Sequence, residues 1–125
     1  GYVEYAYVKK NNMTFMQLQN ADGKYVSPDD LTFAAAAAGA DWLKVPGMGV
    51  SMVNAKGATS WPISTASFIL MHKQPADKAA AAEALKFFDW AFMNGKKMAQ
   101  DLDYVALPDS LTTQIRAKVW TQIQK

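Results

Sequence analysis

Four consecutive apolar residues, Phe68-Ile69-Leu70-Met71, place the strongest constraint on what this chain can fold into. Successive side chains of a β-strand point to opposite faces, so an unbroken apolar run needs cover on both. That is the condition of a central strand in a parallel or mixed sheet flanked by helices. The run closes the segment SWPISTASFILMHK, residues 60–73, whose front half is small and hydroxylated. Pro62 has no N–H to give to a ladder and so predicts the strand's edge or entry. Residues 63–73 are therefore expected to form a strand with a stiff entrance and a buried exit, broken by Gln74-Pro75.

Helix signals flank this segment. In ADKAAAAEALKFFDWAFMNG, Asp77 suits an N-cap and Asn94-Gly95 a stop. Leu85, Phe88 and Phe92 fall on one face, Ala81 and Ala84 leave room for close packing, and Lys86 and Asp89 lie on the wetter side. A shorter helix is expected in KKMAQDLDYVALP. Pro108 then opens a last helix whose Leu111, Ile115, Val119 and Ile123 form an apolar stripe beside Trp120. Upstream, SPDDLTFAAAAAGADW predicts a helix with Ser27 as N-cap, Pro28 in its first turn, Asp29 and Asp30 at the positive end of the dipole, and Gly39 as a left-handed stop.

The remainder is less regular. Residues 15–19 and 24–26 are expected to pair as a hairpin, with Asp22-Gly23 as its turn. Gly1-Tyr2-Val3 resembles a strand interior, and residues 4–10 a short helix ending at Asn11-Asn12. With no initiator Met and no leader, the chain is expected to begin inside a domain. Residues 41–60 are expected to be a long loop, with one short strand near residues 50–53.

Composition narrows the function classes. Half of the 125 residues are apolar, enough for a core of one domain. Thirteen basic residues stand against eleven acidic, and Arg116 is the only arginine, which argues against nucleic acid as a partner. Without cysteine there is no disulfide framework, thiol nucleophile or Cys-based metal site. No apolar run reaches the roughly 18 residues of a spanning helix.

Chemistry is sparse. His72 is the only histidine; with no nucleophile and orienting carboxylate identified beside it, it is expected to be a surface or structural residue. The carboxylate pairs Asp29-Asp30 and Asp101-Asp103 are explained by helix-end electrostatics. Asn94-Gly95-Lys96-Lys97 brings lysines near a helix start, where anions bind, but is expected to be a solvated helix break. The aromatic residues fall mostly at core spacing. No catalytic residue, metal ligand or cofactor is expected.

Six blocks, taken together, are recognisable. GYVEYAY with KNN shortly after, ADGKYVSP, FAAAAAGADW, SWPISTASFILMHK, LKFFDWAF and DLDYVALPDSL resemble, in order, the C-terminal part of the periplasmic phosphate-binding protein family, the PstS receptors of bacterial high-affinity phosphate ABC importers. The resemblance implies an α/β fold: part of a two-lobed periplasmic binding protein of type II, with mixed sheets flanked by helices. It implies a C-terminal part of lobe 2 in residues 1–61 and a C-terminal part of lobe 1 in residues 62–125. WPIS matches the family's second crossover, making Trp61, Pro62 and Ile63 a hinge.

The resemblance also implies inorganic phosphate as ligand, the importer's membrane permease subunits as partners, and a periplasmic location. The family's phosphate-binding segments lie upstream of GYVEYAY, so no phosphate-binding residue is expected here, and Arg116 does not match the binding arginine. The loop LKVPGMGVSMVNAKGAT departs from the family pattern. Two other readings stand beside this one. The chain could be an autonomous interaction module docking on a membrane transporter, or a small hydrolase built on His72.

Overall fold

The computed structural model describes residues 1–125. Five helices and one two-stranded antiparallel sheet make up its regular structure. Helix α1 spans Tyr5–Lys10, β1 Leu18–Gln19, β2 Tyr25–Val26 and α2 Asp30–Ala38. The second half holds α3, Lys78–Asn94, α4, Lys96–Asp101, and α5, Asp109–Gln114.

The hairpin forms as expected but in shortened form, pairing Leu18 with Val26 and Gln19 with Tyr25. Gly23 supplies the positive φ of its turn, at 72°. Helix α1 also forms, but Gly1-Tyr2-Val3 is not in a strand, and Tyr2 lies almost wholly in solvent.

Helix α2 starts two residues later than expected. Its N-cap is Asp29, whose carboxylate accepts from the Thr32 N–H at 2.8 Å while Thr32 Oγ1 accepts from the Asp29 N–H at 3.0 Å. This reciprocal box satisfies two free donors at once, which Ser27 alone could not do. Gly39 closes the helix in the right-handed region, with φ −79°, rather than in the left-handed one. Residues 41–60 form the expected irregular segment, with single turns at Trp42–Lys44 and Pro46–Met48. The strand expected near residues 50–53 is reduced to one bridging residue, Val53.

Helix α3 follows its sequence signals. Asp77 Oδ1 accepts from the Ala80 N–H at 2.9 Å, Ala81 and Leu85 are buried, and Gly95 separates α3 from α4. After α5 the final helix widens into a π-helical turn, Ile115–Val119, and ends in a tight turn, Trp120–Gln122. Leu111 of the predicted stripe is fully buried, and Ile115, Val119 and Ile123 are partly so.

The strand expected over residues 63–73 does not form. Only Ile63 pairs, in a single antiparallel bridge with Val53, and the sheet of the chain stays two-stranded. A strand needs hydrogen-bonding neighbours along its length, and residues 65–72 exchange no backbone hydrogen bond with any other segment. Its apolar run is exposed instead: Leu70 is 93% accessible and Ile69 61%.

The core is correspondingly small. Half the residues are apolar, yet only 16 of 125 are buried. Its main cluster unites Ala37, Trp42 and Met52 from the first half with Leu111 from the second. The Trp42 indole N–H caps this cluster by donating to Ala37 O at 2.7 Å.

Candidate functional site

Trp61, Pro62 and Ile63, the hinge named by the resemblance, are fastened at successive positions to the first half of the chain. Trp61 is buried, and its N–H donates to Thr32 O in the first turn of α2 at 3.0 Å. Its ring meets Phe33 edge-on at 6.3 Å between centroids, and Phe33 in turn meets Tyr5 of α1 at 5.4 Å. Edge-to-face pairs of this kind add to the area they bury. Buried Pro62 has no N–H to offer, and its carbonyl accepts from Asn54 N–H at 2.7 Å. Ile63 makes the bridge to Val53 but leaves its side chain half exposed. Buried Ser64 donates its hydroxyl to Trp61 O at 3.2 Å.

A polar knot lies immediately ahead of Trp61. Asn20, at the end of β1, is 5% accessible and uses both ends of its amide. Nδ2 donates toward the carbonyls of Gly57, Ala58 and Ser60, at 3.1, 3.0 and 3.3 Å. Oδ1 accepts from the N–H groups of Asp22 and Lys24, at 3.1 and 3.0 Å. The turn it holds is tight. Gly57 has φ 125°, and a Cβ there would stand 2.7 Å from Ser60 Oγ, so only glycine fits. Ser60, 1% accessible, closes the turn through its N–H to Gly57 O and its hydroxyl to Lys56 O. No buried side-chain polar atom is left without a partner.

Beyond Ile63 the backbone pairing stops. Residues 65–72 exchange no backbone hydrogen bond with any other backbone group, and the next anchor is Lys73 O, which accepts from Gln124 N–H at 2.8 Å. Ala66 touches the main core cluster, and Phe68 tilts against Trp42 at 6.4 Å.

The remaining chemistry-bearing groups have local partners or lie in solvent. His72 is exposed, as expected. Asp101 pairs with Lys97 at 2.8 Å, and Asp103 pairs with Lys9. Its hydrogen bond to the Asp103 carboxylate raises the Lys9 ammonium above its ordinary 10.5, against a smaller opposing effect of desolvation. Arg116 is taken up by Asp89 at 2.7 Å and approaches Met93 Sδ at 3.5 Å. These three line an open groove of about 600 Å³ between α3 and the chain's last turns, floored by Trp90 and Trp120. No group of three or more His, Cys, Asp or Glu residues is placed to hold a metal ion. No helix is long and apolar enough to cross a membrane.

No protein-family profile matches the chain. Individual proteins do. It is 46% identical over 124 residues to "Phosphate-binding protein PstS" of Pasteurella multocida, covering 99% of this chain and 36% of that protein. The same protein of Haemophilus influenzae matches at 42% over the whole chain, and that of Xylella fastidiosa at 47% over 94% of it. The chain is homologous to a segment of PstS. It spans about a third of the length of these PstS relatives. Sequence reasoning did not single out Asn20 or Gly57. An Asn-Ala-Asp-Gly string signals a turn, but nothing local announces that its asparagine reaches 40 residues ahead.

Proposed function

We propose that this chain is the C-terminal portion of a periplasmic phosphate-binding receptor that delivers phosphate to the permease subunits of an ABC importer. The observation that carries the reading is identity of 42–47% to PstS proteins over nearly the whole chain. Residues 1–61 then close lobe 2 and residues 62–125 close lobe 1 of a two-lobed fold, with the crossover at Trp61-Pro62-Ile63. The exposed run at residues 68–70 accords with this, because a strand of lobe 1 would take its neighbours from polypeptide outside residues 1–125. The firm anchoring of residues 60–64 to α2 and the hairpin accords with a crossover leaving lobe 2.

On this reading the phosphate donors lie outside residues 1–125. Calorimetric titration of phosphate into this chain and into full-length Pasteurella multocida PstS is expected to give binding heat only with the latter. Micromolar binding by this chain would overturn the assignment of the donors. Absence of binding by the full-length relative would overturn the receptor reading.

A further inference from the structure

We propose that the main core cluster is the pivot on which the two lobes turn, an apolar contact kept in both the open and the closed receptor. This rests on the crossover reading above, which assigns residues 1–61 and 62–125 to different lobes. Under that division the cluster is an interlobe surface. Ala37, Trp42 and Met52 of lobe 2 meet Leu111 of lobe 1, with Leu107 and Ile115 packed around them. The four central side chains are only 4–7% accessible, so water is excluded where the lobes touch.

Three features suit this contact to turning rather than to breaking. First, it lies beside the crossover. Met52 adjoins Val53, whose bridge partner is Ile63, and Ala66 just past the crossover touches the cluster. Atoms near a rotation axis move least, so closure about the crossover disturbs this contact little. Second, the contact is non-directional. The one hydrogen-bonding side-chain group at its centre, the Trp42 indole N–H, donates to Ala37 O within lobe 2, which leaves only apolar surface for lobe 1. Apolar attraction follows the area covered, whereas a hydrogen bond weakens steeply as its angle changes. Third, few polar ties oppose rotation. Beyond the crossover residues, the Lys9–Asp103 ion pair is the only one between the two parts, and its side chains stay partly exposed. Such a pair contributes little, and the flexible Lys9 side chain can follow the turn or let go.

The test is methyl NMR on the full-length receptor carrying this segment, with and without inorganic phosphate, and it needs no substitution in the core. Nuclear Overhauser contacts from the Leu111 methyls to the side chains of Ala37, Trp42 or Met52 are expected in both samples. Residual dipolar couplings are expected to report a changed angle between the lobes when phosphate is added. Contacts present in one sample and lost in the other would make the cluster a latch and overturn the pivot. Contacts missing from both would show that the lobes do not meet there, and overturn it too. Phosphate binding with no change of lobe angle also overturns it, while leaving the receptor reading intact. A spectrum indifferent to phosphate overturns the receptor reading itself, and the pivot falls with it.

Discussion

The two ends of residues 60–73 reverse the order that hydropathy suggests. Ser60 and Ser64, small and polar, are 1% and 8% accessible, whereas Leu70 is 93% accessible. Burial here follows partners, not polarity. Each serine has a carbonyl within reach for its hydroxyl, so enclosing it leaves nothing unpaired. Ile69 and Leu70 have apolar surface to bury but little to bury it against, and Phe68, tilted against Trp42, stays half exposed. A hydrophobic sequence is thus a demand for cover, and this segment leaves part of that demand unmet.

The contrast is broken or sharpened most strongly by truncating one residue from each end. Trp61→Ala removes a buried aromatic and is expected to cost about 3–5 kcal/mol in urea unfolding. Leu70→Ala is expected to stay within about 0.5 kcal/mol of the unaltered chain. Comparable costs at the two sites would dissolve the contrast. A smaller effect tests the turn that leads into the buried end. Gly57→Ala forces a side chain into positive φ against Ser60 and is expected to cost about 1–3 kcal/mol. An unaffected midpoint would show that the turn relaxes freely.

The smallest effect is a control lying away from both ends. Lys9, raised by Asp103, contributes stability that is fully present below 10.5 and is lost as pH rises through its higher folded value. Both side chains are partly exposed, so thermal melts above pH 10.5 are expected to show only a slight loss, absent in Lys9→Met. A large loss, or one shared by Lys9→Met, would assign the alkaline sensitivity elsewhere.

How much could be foreseen differs by element for physical reasons. Helix α3 was legible because its signals are local: Asp77 caps it, Gly95 ends it, and Leu85 marks its buried face. The hairpin was legible from Asp22-Gly23. The start of α2 was misplaced because Ser27 and Asp29 can both cap, and only the reciprocal bond with Thr32 decides between them. The strand at residues 63–73 was not legible, since strands are completed by neighbours distant in sequence and the residues present supply only Val53. Trp61, Pro62 and Ile63 were singled out by resemblance, and the structure adds how they are held. Asn20 escaped notice because its bonds span 37 to 40 residues.

The Lys73–Gln124 hydrogen bond has a mechanical consequence. With Ser64 fixed at one end and Lys73 at the other, the intervening chain is a leash of nine peptide units, about 30 Å when taut. While both tethers hold, its two attachment points cannot separate by more than that, even if Ala66 and Phe68 leave the core.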